Sequence, residues 1–297
     1  MGSNVLGVGF TLTVEEKDQL IASDRRNLDV IQPYVIGRDL NQRPDCSASR
    51  WIINFQDWPL DRAASYPDCL RIITRLVKPQ RDLVKKKNYR EIWWQYAECC
   101  PGLYEAIANQ ERALAISLVS NAIMPVVVPT GQVFAHKCAI FAFDDLASLA
   151  TLSSSAHSVW TIRYTSTMRT DINYSPSDIF ATFPRPEPTA ELEALGHQLD
   201  ETRRELMKSR AWGLTSTYRR VHDPDSHEPA IQELRDIHVA IDEAVMRAYG
   251  WADLDLKIGH HPTKIGIRWT VSKDARFELL DRLLEENHRR YEAEQQK

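Results

Sequence analysis

The sequence predicts an α+β protein. It reads as a mixed β-sheet domain flanked by helices, followed by a C-terminal helical bundle. Two observations carry this. Before residue 186, short apolar runs rich in β-branched residues lie between Pro, Gly and polar residues, as buried strands do. After it, apolar residues recur at helical spacing over three long stretches. At 297 residues, 43% hydrophobic and 26% charged, the chain has the length of one large or two modest domains and a globular composition.

Three regions are expected, residues 1–59, 60–186 and 187–297. The first opens with a helix, because Thr13-Val14-Glu15-Glu16 has capping-box spacing and Leu20 and Ile21 follow at helical positions. The polar run 37–45 reads as a loop. Trp51 to Phe55 reads as a strand. In the second region, Cys69 to Val84 has helical spacing interrupted at Pro79. The runs 113–119, 124–128 and 138–143 read as buried strands of one sheet. Asp144-Asp145 opens a helix expected to run to His157, its acids suiting the positive end of the helix dipole. In the third region, Leu192, Leu195, Leu199 and Leu206 lie on a helix from Thr189 to about Tyr218. Ile231, Leu234, Ile237, Ile241, Ala244 and Val245 form the stripe of a second, ending at Gly250. Ser272 caps a third, with Phe277, Leu280 and Leu284 on one face. Gly259-His260-His261-Pro262 reads as a loop.

Charge and cysteine usage narrow the function classes. The net charge of −4 does not suit a non-specific nucleic-acid binder. Between Arg71 and Arg90, however, Arg71, Arg75, Lys78, Arg81, Lys85, Lys86, Lys87 and Arg90 face a single acid, Asp82, a local charge of +7. This window is either a solvated helix face or a patch that meets phosphate. No apolar run approaches the ~18 residues of a membrane helix. The first ten residues lack the basic start and apolar core of a signal peptide. The five cysteines form no C-x-x-C pair, so a reducing compartment, the cytoplasm, is expected.

Catalytic chemistry is hard to find. No Gly-rich loop follows a strand, and there is no G-x-S-x-G elbow. His222 and His227 flank Asp223-Pro224-Asp225, which reads as a turn between helices or, less simply, as a metal site. Without a carboxylate cluster at helical spacing, a hidden nuclease centre is weakly supported. A methyltransferase acting on a base amino group uses a polar-Pro-Pro-aromatic turn, and this chain has no Pro-Pro dipeptide. No catalytic, metal or cofactor-binding residue is therefore assigned.

The stretch from Arg163 through Thr167, Arg169, Asp171, Tyr174 and Phe180 to Pro184 is different. It mixes arginines, hydroxyls and aromatics with neither apolar period, which suits an ordered surface that touches something. Other unusual stretches are Pro33-Tyr34 to Asn41, Trp51 to Trp58, Trp93-Trp94-Gln95-Tyr96 and Val128-Pro129-Thr130-Gly131-Gln132-Val133-Phe134. Gly213-Leu214-Thr215, Tyr218, His222-Asp223-Pro224 and Ala248-Tyr249-Gly250-Trp251 follow. In this order, and over nearly the whole chain, they resemble the C-terminal target-recognition domain and helical tail of MmeI-like (type IIL/IIG) adenine-specific DNA methyltransferases of restriction-modification systems.

That resemblance implies a sequence-specific double-stranded DNA recognition module that is non-catalytic in this chain. It implies a fragment or separate subunit that starts after the methyltransferase catalytic domain, where S-adenosylmethionine would bind. By residue type, Arg81, Lys85, Lys86, Lys87 and Arg90 are candidates for phosphate. Arg38, Asn41, Arg43, Gln95, His136 and Lys137 are candidates for base edges, since Arg suits guanine and Asn or Gln suits adenine. His136 and Lys137 stand at the start of a predicted strand. Arg163, Thr167, Arg169 and Asp171 would serve a domain interface or the DNA backbone. Trp93-Trp94 reads as core packing, with a wedge against DNA as the other reading. The rival from another class is a helical protein-docking scaffold without DNA binding.

Overall fold

The computed structural model describes residues 1–168 and 171–296, with only the backbone of Ser166–Met168 and Asp171. The chain forms two compact units. The first gathers Met1–Asp39, Ser47–Ala113 and Val128–Ala142, and the second gathers Leu40–Cys46, Leu114–Val127 and everything from Phe143 on. Residues 1–59 therefore do not stand apart as a lead-in, because their strands share a sheet and a core with later segments.

In the first unit, strand Arg50–Ile53 pairs antiparallel with both Thr11–Leu12 and Ile31–Val35. Val133–Phe134 adds in parallel to Ile31–Val35, which makes the sheet mixed. The capping box starts helix Val14–Ser23 as the sequence predicts. Glu16 N–H donates to Thr13 Oγ1 at 3.2 Å and Thr13 N–H donates to Glu16 Oε2 at 2.8 Å. Helix Pro67–Leu76 buries Cys69 and Ile73 and turns Arg71 and Arg75 outward. Its end packs so closely that a Cβ on Gly9 would lie 2.4 Å from Leu76 Cβ. Phe10, Ile52, Ile53, Phe55, Val77 and Tyr96 fill the core, and the Tyr96 hydroxyl donates to the Ile53 carbonyl at 2.8 Å.

The polar run expected as a loop is instead helix Gly37–Gln42. Asp39, three residues past Ile36, accepts the Ile36 N–H at 3.1 Å. This is half of a capping box without the Ser or Thr that advertises one, and buried Leu40 anchors the turn. The runs expected as strands are Arg112–Ser117, Val126–Pro129 and Cys138–Phe141.

The second unit is largely helical. The helix expected from Asp145 to His157 is two helices, Leu146–Ser153 and Ser155–Tyr164, because Ser154 is extended and its hydroxyl accepts the His157 N–H, recapping the chain. Asp145 caps the first, and Glu193 Oε2 accepts both the Leu146 and Ala147 N–H groups at 2.7 Å. Glu193 belongs to helix Ala190–Arg210, which crosses close by: a Cβ on Gly196 would lie 1.9 Å from the Leu146 carbonyl oxygen. That helix ends at Ala211 in the left-handed conformation, so the predicted continuation to Tyr218 is a separate helix, Leu214–Val221. Helix Pro229–Tyr249, ended by Gly250 at φ 78°, follows its predicted stripe. Helix Lys273–Gln295 forms where predicted but not with the face Phe277, Leu280 and Leu284: the buried row runs at four-residue spacing from Val271 through Ala275, Leu279 and Leu283, and Phe277 is exposed.

The run Gly259 to Pro262 is not a loop. Gly259–Thr263 pairs antiparallel with Gly266–Thr270, setting His260 opposite Trp269 and His261 opposite Arg268. Two histidines and a proline hide the strand in the sequence, and Gly266 at φ 101° closes the hairpin. A small sheet of Val119–Ser120, Asp171–Asn173 and Ser166–Met168 completes the unit. Beside it Tyr174 packs inside, its hydroxyl 3.0 Å from His157 Nε2. Among the described residues no helix is long and apolar enough to cross a membrane.

Gly196→Val should lower stability by about 1–3 kcal/mol through overpacking. Urea unfolding measures it, and an unchanged midpoint and slope would contradict the close crossing described.

Candidate functional site

The basic window forms an exposed loop in the first unit, between helices Lys78–Asp82 and Lys87–Glu91. Two arginines build it from beneath. Arg81 is 1% exposed, and its Nη2 donates to the carbonyls of Val5 at 3.0 Å and Gln95 at 3.1 Å. Its Nε and Nη1 find no partner, and burial lowers the guanidinium's pKa. Arg90 Nη1 donates to the carbonyls of Val84 at 2.7 Å and Lys85 at 3.0 Å. Arg81 is thus corrected from phosphate ligand to internal staple, and Arg90 is turned from the surface into the loop it holds. Each replaces water at carbonyls that a tight loop cannot pair with its own amides.

Lys85, Lys86 and Lys87 remain outside. Lys86 Nζ lies 3.2 Å from the Tyr89 hydroxyl and 4.8 Å from its ring centroid, and the hydroxyl contact raises the Lys86 pKa. Lys87 Nζ is 3.4 Å from Glu91 Oε1, an exposed pair. Leu83, at the same tip, is 86% exposed. The loop is therefore three cations and one apolar side chain on a fixed backbone. Further cations of this unit lie over rings: Arg62 3.7 Å from the Trp58 centroid and Lys78 5.4 Å from that of Trp93.

The other candidates divide. Gln95 Nε2 donates to the Trp58 carbonyl at 2.9 Å while its own carbonyl receives Arg81. Asn41 Oδ1 accepts from the Ser120 hydroxyl at 3.0 Å and its Nδ2 donates to the Val119 carbonyl at 3.4 Å. Both amides are held by their own units, so neither is placed as a free reader of base edges. Arg43 lies beside Asp45, 3.5 Å away. His136 and Lys137 are exposed in the turn before strand Cys138–Phe141 rather than in the strand. The parallel pairing of Val35 with Phe134 means that both strands leave the sheet at one end. That register brings exposed Arg38 to the same sheet end as His136 and Lys137. Trp93 and Trp94 meet edge to face at 5.9 Å, and Trp94 Nε1 donates to the Trp58 carbonyl at 2.8 Å, the packing role expected.

In the second unit, Arg163 is exposed at the end of its helix, its guanidinium 6.0 Å from the Tyr164 centroid. Arg169 and the side chains of Thr167 and Asp171 lie outside the described residues. The His222–His227 turn is held by Arg235, which donates to the carbonyls of Arg220, Val221, Asp223 and Ser226. His222 Nδ1 accepts the Trp269 N–H at 3.2 Å. Among the described residues no group of three or more His, Cys, Asp or Glu is placed to hold a metal.

Sequence reasoning missed a buried polar chain in this unit. Arg203 Nη1 lies 3.4 Å from the Tyr218 hydroxyl, which is 2.9 Å from His238 Nε2. Burial lowers the His238 pKa to about 4 and raises that of Asp242 to about 7. Asp242 Oδ1 accepts the Ser155 N–H at 2.6 Å. His238 and Asp242 lie four apart on helix Pro229–Tyr249, a spacing that marks one helix face.

Comparison with known proteins bears on these features. A family model described as MmeI, target recognition domain, matches residues 2–187. The match spans the whole first unit and the start of the second, and ends where the sequence places the helical region. No curated protein matches the chain. Among solved structures, the Type IIL restriction-modification enzyme MmeI in complex with DNA is similar at a TM-score of 0.67 and 17% identity. The similarity covers 97% of this chain and 34% of that one, so the chain spans about a third of that protein's length.

Arg90→Ala should free the Val84 and Lys85 carbonyls and cost about 1.5–3 kcal/mol locally. Faster amide hydrogen exchange confined to residues 83–91 is the expected sign, and unchanged exchange would contradict the staple. Asp242 makes a pH prediction. Its folded pKa of about 7 lies above its unfolded value near 3.8. The stability contributed by its protonated form is therefore present in full below pH 3.8 and lost as pH rises through about 7. Wild type should lose stability relative to Asp242→Asn between pH 4 and pH 8 in thermal melts. A pH-independent difference would contradict the burial of this carboxyl.

Proposed function

The chain belongs to the MmeI target recognition domain family, and from that premise we propose that it is a sequence-specific recognition module for double-stranded DNA that performs no chemistry itself. The family match over residues 2–187 carries this reading. The first unit supports it with chemistry suited to the task. The loop of Lys85, Lys86 and Lys87 would meet backbone phosphates and set register. Arg38, His136 and Lys137, at one sheet end, would read base edges in the major groove, and Arg43, which follows helix Gly37–Gln42 and belongs to the second unit, is a further candidate. Each bidentate pair would be worth ~1–3 kcal/mol of discrimination.

The chemistry would belong to a partner. We propose an adenine-specific methyltransferase domain or subunit, holding S-adenosylmethionine, that flips the target base once this chain has located the site. The C-terminal helices would act as spacer or docking surface for it, and the complex would work in the cytoplasm. Fixing the loop backbone with Arg90 suits such a reader, because phosphate contacts set register only if the cations are held in place.

Replacing Lys85, Lys86 and Lys87 together by Glu tests the phosphate contact. Duplex affinity should fall, and the salt dependence of log K should become shallower by up to about 3. Undiminished affinity with an unchanged salt slope would remove the loop from the interface. A wild-type chain with no duplex affinity would favour the protein-docking scaffold.

A further inference from the structure

The second unit encloses a cavity of about 50 Å³ among helices Ser155–Tyr164, Leu214–Val221 and Pro229–Tyr249 and hairpin Gly259–Thr270. Its wall carries more positive charge than it balances. Arg268 and Arg276 both line it. Each donates to a hairpin carbonyl, Arg268 Nη1 to Ile267 at 2.9 Å and Arg276 Nη2 to Pro262 at 2.8 Å, and among the described residues neither forms a salt bridge. The one carboxylate of the wall is Asp242, already accepting the Ser155 N–H. Two histidines line it, and both are neutral: burial lowers the pKa of His222 to about 3 and of His238 to about 4. Since His222 Nδ1 accepts the Trp269 amide, its proton sits on Nε2, which is a donor. Two further wall residues hold buried donors without acceptors, the hydroxyl of Ser153, itself 2% exposed, and Trp269 Nε1.

We infer that this cavity is a binding site for a small oxyanion of the phosphate type. Surplus guanidinium charge and unpaired donors call for a ligand that is negative and rich in acceptors. The size agrees. At ~10–15 Å³ of such space per water, the cavity holds roughly three to five water-sized spheres, the span of a tetrahedral oxyanion and too little for a nucleobase. Metal binding does not fit, since two fixed cations line the wall against one carboxylate. A neutral polar ligand leaves the charge of both arginines uncompensated. The anion comes either free in solution or as a phosphate of a nucleic-acid backbone, and the wall recognises the group common to both. The site lies outside the basic loop of the first unit and does not depend on it.

The test is titration calorimetry of the full chain with inorganic phosphate in Tris at pH 8.0, where Asp242, with a pKa of about 7, is mostly ionised, on wild type, Arg268→Gln and Asp242→Asn. Saturable one-site binding is expected, weakened at least tenfold in Arg268→Gln. It should tighten several-fold in Asp242→Asn, which removes the only opposing charge. Absence of saturable binding to wild type overturns the inference, as does binding that Arg268→Gln leaves untouched. If circular dichroism shows Arg268→Gln to be unfolded, Asp242→Asn decides alone: equal or weaker affinity than wild type overturns the inference. A duplex arm separates the sources. A duplex that displaces bound phosphate in proportion to its occupancy identifies a backbone phosphate as the natural occupant, and phosphate binding undisturbed by duplex identifies a free anion.

Discussion

Arg81 sits at 1% exposure with two carbonyls on one nitrogen and nothing on the other two. Burying a guanidinium without a carboxylate is costly, and the cost is tolerated because the Val5 and Gln95 segments meet there. Arg90 does the same work one helix later for Val84 and Lys85. In the second unit Arg235 gathers four carbonyls of the turn between Val221 and Pro229. The planar fork of arginine offers five donors in a fixed geometry, whereas lysine offers three on a flexible stem. The surface that this chain presents at Lys85–Lys87 depends on that inward use of charge.

The same fact explains where the sequence was legible and where it was not. Periodicity revealed helix Pro229–Tyr249 almost to the residue, because its apolar stripe packs against the unit's core, and it located helix Lys273–Gln295 but not its buried face, where small Ala275 turns inward and Phe277 outward. The capping box at Thr13 was equally plain. Helix Gly37–Gln42 was hidden because its cap comes from Asp39 within the run. Strand Gly259–Thr263 was hidden because its pairing, not its composition, makes it a strand. At the candidate site, residue type identified the exposed lysines but could not separate them from Arg81. An arginine beside lysines reads as one patch until the fold shows which way each side chain turns. Gln95 and Asn41 were lost to main-chain partners 37 and 78 residues away, pairings that no local pattern encodes.

Two kinds of positive charge thus serve two purposes. Lys85, Lys86 and Lys87, strongly hydrated, stand outside, where exchange of counterions would give duplex binding its salt dependence. Arg81, Arg90 and Arg235 turn inward and hold backbone carbonyls. The parallel pairing of Ile31–Val35 with Val133–Phe134 adds the third part, a sheet end that places Arg38 beside the His136–Lys137 turn. In the proposed function these parts would serve one purpose, recognition of a duplex. The cavity of the helical unit is chemically separate, with its own surplus of charge and its own donors.

Selection from a pool of random duplexes at low and at physiological salt, with sequencing of the retained fraction, tests the recognition role most directly. A single enriched motif that persists at the higher salt is the predicted result. Retention without any motif, or no retention at either salt, would contradict sequence-specific recognition by this chain.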